Sequence, residues 1–327
     1  MNSPKYATSC IEHFLHYVGF DTQSTEDADT FPSTPGQLVL LEHLREQLGS
    51  LGLADVTMDQ KGYVFATVPS TSAKKDVPVI GFLAHVDTSP EMSGRDVKPI
   101  IHRNYQGQDL VLPDNPAAVI GFDDNPHLKD QIGNDIITAS GNTLLGADNK
   151  AGVAEIMGAV EYLLSHPEIP HGPIRIGFTP DEEVGNGTEY FDTRAFGAYC
   201  AYTMDGETLG ELQVETFSAD AITVTFHGCN THPGFAKGRM VNAIKVAADF
   251  IGRLPKDTLS PETTAGYEGF VHPYVMDAGV EKTSVKLLVR DFVSKGLEEK
   301  ETFVKRLAAE AAAAFPGSRA EVHVEVS

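Results

Sequence analysis

The chain has 327 residues, enough for about two domains, and 41% of them are hydrophobic. With 25 basic against 46 acidic side chains the net charge is −21, a surface that repels phosphate backbones and excludes nucleic acid and anionic membrane as natural partners. Three cysteines without a CxxC pair argue against a disulfide framework and a cysteine-rich zinc site. The start, MNSPKYATSC, lacks a signal peptide's pattern, and no run approaches about eighteen apolar residues, so the expected setting is cytoplasmic.

Ile11, Phe14, Leu15 and Val18 fall at i, i+3, i+4 and i+7 and predict a helix over 8–19. A polar loop over 21–35 leads to a second amphipathic helix, 36–51, stopped by Gly49 and Gly52. Residues 64–68 read as a strand. VPVIGFLA (77–84) is a nearly continuous apolar run, as expected of a strand covered on both faces. Residues 91–132, rich in Pro, Gly, Asp and Asn, predict a long surface excursion with short strands. A helix over 151–165, a strand over 174–178 (IRIGF) and a strand over 200–204 follow. This alternation predicts an α/β fold with a mostly parallel central sheet, in which sites form beyond the carboxyl ends of the strands.

The character changes near residue 215. Ile222, Val224 and Phe226 alternate with Thr223, Thr225 and His227, the pattern of a half-buried strand. A helix over 240–254, a Pro/Gly-rich connection over 255–279 and a strand over 284–290 come next. An Ala-rich helix over 297–315 and an alternating strand over 320–326 complete the chain. This order predicts a smaller α+β domain, with helices on one side of a mostly antiparallel sheet. The expected domains are 1–214 and 215–327.

Acids and a histidine gather at the predicted strand ends: His85 and Asp87, Asp148, Asp181-Glu182-Glu183, and Asp205. Each alone is ordinary, since Asp after a strand is commonly a turn or helix cap. Together they would crowd negative charge at one edge of one sheet, which is costly unless a cation lies between them. Imidazole with carboxylates suits zinc or a similar divalent ion. Two ions about 3.5–4 Å apart need a bridging carboxylate. Asp148 can bridge, His85 and Asp205 can complete one ion, and Glu183 can start the second. Asp87 can then hold the His85 tautomer, Glu182 stays free as general base, and Asp181 supports the turn.

The segments AHVDTSP (84–90), LLGADNKAGVAEIM (144–157), FTPDEEVGNG (178–187), YTMDG (202–206), THPGFAKGRMVNA (231–243) and GYEGFVHP (266–273) closely resemble the peptidase T family, the tripeptide aminopeptidase branch of the two-zinc aminopeptidases and carboxypeptidases. The resemblance implies the ligands His85, Asp148, Glu183 and Asp205 for two zinc ions per subunit, with Asp87 and Glu182 as the catalytic pair. It implies that 1–214 is a catalytic metallopeptidase domain and 215–327 an inserted lid through which a homodimer forms. It also implies that His232 reaches a substrate carbonyl, with Asn242 and Arg290 as candidates for gripping the peptide.

In that family the chain returns after the lid and supplies a histidine to the second metal. The sequence ends at Ser327, and neither His272 nor His323 matches that ligand. An incomplete catalytic domain, its second metal site one ligand short, is therefore expected. The expected reaction is release of the N-terminal residue from tripeptides by attack of a metal-bound hydroxide. A related amidohydrolase or carboxypeptidase, or a non-catalytic metal-binding remnant, remain alternatives.

Overall fold

The computed structural model describes residues 5–26, 28–206 and 208–326. They divide into two units, Met1–Glu211 and Leu212–Ser327, each with its own apolar core. Among the described residues no helix is long and apolar enough to cross a membrane.

The first unit opens with helices α1 (Lys5–Tyr17) and α2 (Pro35–Ser50). Leu40, Leu41, Leu44 and Leu48 share one face of α2 and are wholly buried, as a 3.6-residue period requires. Strands β1 (Thr57–Met58), β2 (Val64–Val68) and β3 (Ile80–His85) follow. The excursion after β3 carries β4 (Ile100–His102), β5 (Leu110–Val111), β6 (Val119–Ile120) and β7 (Ile136–Thr138). These pair only among themselves, β4 with β7 and β5 with β6. Then come α3 (Ala147–Ser165), β8 (Ile174–Thr179), the short α4 (Thr193–Phe196) and β9 (Cys200–Thr203). The peptide bond between Asp148 and Asn149 at the start of α3 is cis.

The five-stranded sheet has the order β1-β2-β8-β3-β9. β3 is parallel to both β8 and β9, but β2 is antiparallel to β1 and β8. The α/β class holds, and the sheet is mostly parallel as expected, β2 running against the other four strands. Strand direction is set by how the connections cross the sheet, not by the residues inside a strand. Helices α1 and α3 and the leucine face of α2 pack with the buried residues of β2, β3 and β8 in one cluster.

The second unit runs β10 (Ser218–His227), α5 (Ala243–Arg253), β11 (Phe270–Ala278), β12 (Lys282–Asp291), α6 (Ser294–Ala314) and β13 (Arg319–Val326). All pairings in its sheet, ordered β11-β12-β10-β13, are antiparallel. Ile222, Val224 and Phe226 of β10 and Val285, Leu287 and Val289 of β12 are buried with Val246 and Phe250 of α5 and Val304 and Leu307 of α6. Strand β11 falls in the stretch expected to be a plain connection. Its Pro273 cannot donate to a ladder and marks it as an edge strand, and its register shifts between Pro273 and Val275.

Gly152 lets α3 approach the end of β9: a Cβ there would stand 2.0 Å from the Met204 carbonyl oxygen. The close approach holds the start of α3 beside the residues after β9. Gly152→Ala must push helix and strand apart, at an expected cost of about 1–3 kcal/mol. Denaturant unfolding measures the loss, and divalent-ion titration of the same variant should show weaker binding. Unchanged stability and affinity would refute the packing constraint.

Candidate metal centre

The sheet register brings the chemistry together. His85 closes β3 and lies opposite Thr179, the last residue of β8, while Leu83 lies opposite Thr203, the last residue of β9. Because these strands run the same way, Asp87, the 181–183 turn and Asp205 leave the sheet at one edge. Asp148, in the first turn of α3, meets them there.

His85 is the hub. Its Nε2 lies 3.0 Å from Asp148 Oδ1, 3.7 Å from Asp205 Oδ1 and 3.9 Å from Glu182 Oε2. Its Nδ1 faces the Asp87 carboxylate at 3.2 Å and the Asp87 carbonyl at 3.1 Å. The ring is 3% exposed and the Asp87 side chain 0%, whereas the Asp148 side chain is 73% exposed. The site therefore has a buried floor and an open side at Asp148. A cleft of about 360 Å³ adjoins it, lined by His85, Glu182 and Asp205 together with Leu83, Thr188 and Phe191.

Among the described residues, His85, Asp148 and Asp205 form the group able to hold a metal ion, with one ligand atom from each lying within 4.8 Å of the others. A tetrahedral shell with bonds near 2.1 Å separates ligand atoms by roughly 3.4 Å, and the 3.0 and 3.7 Å spacings from Nε2 bracket that figure. Imidazole and carboxylate are also the donor types for zinc and related divalent ions, so the residues fit such an ion. Glu183 stands outside that trio, and its backbone N–H donates to Asp87 Oδ2 at 3.1 Å.

The family model of the peptidase dimerisation domain matches residues 214–319. Peptidase T of Bacillus licheniformis is 50% identical over 298 residues, which cover 91% of this chain and 72% of that protein. The chain belongs to the peptidase T family. Its backbone is similar to that of a tripeptidase from Staphylococcus aureus, with a TM-score of 0.73 at 21% identity, over 98% of this chain and 75% of the other. It is also similar to a dinuclear metal-binding peptidase of the M20 family from Bacillus subtilis, with a TM-score of 0.58 at 15% identity, over 98% and 74%. These two likenesses show the fold.

The electrostatics of the site reflect a surplus of acid. Burial opposes a charge on His85, but hydrogen bonds to Asp148, Asp205 and Asp87 overcome it and push the ring up to about 12. Glu183 is pushed up to about 7, first by burial and then by Asp148, Asp87 and Glu182, with His85 opposing. Glu182 is also raised, by burial first and then by Asp205, Asp87 and Asp148. Asp148 is held low, chiefly by its hydrogen bond to His85.

Other groups were not visible as site residues in the sequence. Thr22, Ser24, Ser33 and Gln37 lie in or just after the polar loop before α2, and all are buried. Thr22 Oγ1 donates to the Val86 carbonyl at 2.7 Å, and Ser24 N–H and Oγ donate to the Thr88 carbonyl at 3.0 and 3.1 Å. The loop thus fastens the strand extension that carries Asp87. Gly36 admits it, since a Cβ there would meet the Asp21 carbonyl oxygen at 2.0 Å. The sequence shows there hydroxyl and amide side chains between two helices, as in any polar loop.

His232, Asn242 and Arg290 all belong to the second unit. His232 is exposed, and its Nδ1 accepts from Gly234 N–H at 3.1 Å. Asn242 caps α5, its Oδ1 accepting from Ile244 N–H at 2.9 Å. Arg290 lies with its guanidinium 3.5 Å from the centre of the Phe217 ring.

The sign of the pH dependence follows from His85 and Glu183. Glu183 rises from 4.5 to about 7 on folding, so the folded state binds its proton more tightly and loses that advantage as pH climbs from 4.5 through 7. His85 rises from 6.5 to about 12, and its contribution likewise fades above 6.5. Protein treated with a chelator should therefore lose thermal stability as pH rises from about 5 to 8. A divalent ion that took the place of both protons should stabilise increasingly over the same range and release protons on binding. Melting temperatures with and without the ion, and calorimetry in two buffers, measure both. An ion-induced shift that shrinks as pH rises would contradict the assignment.

Proposed function

We propose that this chain is a metal-dependent aminopeptidase that releases the N-terminal residue of tripeptides. The convergence of His85, Asp148 and Asp205 on one point, with the Glu182 carboxylate beside them, carries the proposal. Membership of the peptidase T family supports it, as does the fold shared with a tripeptidase. Two divalent ions would be held by His85, Asp148, Asp205 and Glu183, with zinc as the ion that suits these donors. When bound, the ions supply Lewis acidity, acidifying a water and polarising the scissile carbonyl.

The chain's own residues do the rest. Glu182, with its pKa raised toward neutrality, takes a proton from the attacking water as the oxygen–carbon bond forms, and returns it to the leaving nitrogen as the peptide bond breaks. Asp87 accepts from His85 Nδ1–H, which leaves Nε2 directed at Asp148 and Asp205. His232, Asn242 and Arg290 are assigned to the peptide. Residues 215–327 join two copies into a homodimer, and the protein works on short peptides in the cytoplasm.

The test compares a free tripeptide with its N-acetylated form. Cleavage of the free form, releasing its first residue, is expected. Cleavage of the blocked form alone would replace the aminopeptidase with a related amidohydrolase. Glu182→Gln should lower kcat by about 10²- to 10⁴-fold while metal content stays at the wild-type level. His85→Ala should lose metal and activity together. An inactive wild-type chain with one ion or none bound would leave a non-catalytic metal-binding role.

A further inference from the structure

We propose that Asp181 is a positioning residue, holding Glu182 and Glu183 in place by tying the turn after β8 to the N-terminus of α2. The roles of those two glutamates rest on the function proposed above; the placement of Asp181 does not.

Asp181 is 1% exposed, and its carboxylate is surrounded by donors. Ser33 N–H donates to Oδ2 at 2.6 Å, Ser33 Oγ to Oδ1 at 2.5 Å, and Gln37 Nε2 to Oδ1 at 2.6 Å. The backbone joins in, since Asp181 N–H donates to Gln37 Oε1 at 3.0 Å. Gln37, itself wholly buried, thus grips both the main chain and the side chain of one residue. The two partners lie 144 and 148 positions earlier in the sequence.

The arrangement suits both ends. Helix α2 has no acidic residue in its first turn, and its N-cap Thr34 makes no side-chain cap. The Asp181 carboxylate supplies from another segment the negative charge that a helix N-terminus favours. At the other end, Asp181 has a φ of +55°, a left-handed conformation that non-glycine residues adopt at a cost and keep only where surrounding bonds over-determine it. Glycine would take that φ freely but would bring no carboxylate. The reversal lets the next two N–H groups turn toward Asp87, Glu182 donating to Oδ1 at 3.0 Å and Glu183 to Oδ2 at 3.1 Å. The two glutamates are thereby suspended between two buried carboxylates, Asp87 and Asp181.

Asparagine tolerates the same backbone but cannot accept from all three donors. Its amide nitrogen would face either Gln37 Nε2 or Ser33 N–H, donor against donor, and Gln37 cannot flip without losing its bond to the 181 backbone. Asp181→Asn combined with Gln37→Glu exchanges the roles: the new carboxylate accepts from the 181 N–H and side-chain amide, and the asparagine oxygen accepts from Ser33 N–H. Every bond then has a donor and an acceptor.

The experiment measures amide hydrogen exchange and tripeptide kinetics on the wild type, Asp181→Asn and the double variant. In Asp181→Asn the Glu182 and Glu183 amides should lose protection while those of β2 and β3 keep it. In the same variant kcat should fall by about 10- to 100-fold with KM little changed. The double variant should recover both. Wild-type protection at Glu182 and Glu183 in Asp181→Asn would overturn the proposal, as would protection lost equally across β2 and β3 without recovery in the double variant. A wild-type chain that cleaves no tripeptide would refute the proposed function, and the exchange data would still decide the role of Asp181.

Discussion

One imidazole stands against four carboxylates, and the rest of the site is arranged around that imbalance. His85 has Asp87 on one ring nitrogen and Asp148, Asp205 and Glu182 around the other. Like charges gathered in a partly dry setting cannot all remain ionised unless positive charge is brought to them. The chain's own means of supplying it are protons, which explains why His85 holds one to about 12 and Glu183 to about 7. A divalent ion brings more charge to the same point, so protonation and metal binding compete for one place. The Asp148 side of the site is open to solvent, and the floor at Asp87 is buried.

The floor is fixed by backbone donors. Asp87 accepts from the two N–H groups of Glu182 and Glu183, and the collar before α2 clamps the chain on either side of Asp87. Asp181 binds the same collar further along. Burying such polar groups is tolerable only because each finds partners of good geometry. The return is rigidity: acids that repel one another are kept at spacings suited to a shared ligand, which flexible loops alone would not maintain.

Much of this was legible beforehand, and the exceptions have physical causes. The helical faces of α1 and α2, the apolar β3 and the alternating β10 announce themselves through side-chain period, because burial selects residues locally. The acids after β3, β8 and β9 were legible for the same reason, since polar residues directly following apolar strands stand out. The antiparallel direction of β2 was not, because direction leaves no trace in the residues of a five-residue strand. Strand β11 was hidden by Pro273, which breaks the ladder pattern without preventing an edge strand. The collar was hidden because Thr22, Ser24, Ser33 and Gln37 look like any polar loop until their distant partners are known.

The sequence by itself determined the chemical inventory, namely one histidine and a set of carboxylates each placed at the end of a strand or the start of a helix. It also determined the family, through motifs spread along almost the whole chain. Only the tertiary structure decided which of those acids meet. His85 and Asp148 are 63 positions apart and touch because β3 ends beside the first turn of α3. Asp181, one of three adjacent acids, turns away from its neighbours to bind α2, whereas Glu182 faces the histidine. Local pattern cannot encode such choices, because they depend on strand register, one left-handed residue and donors supplied from the far end of the unit.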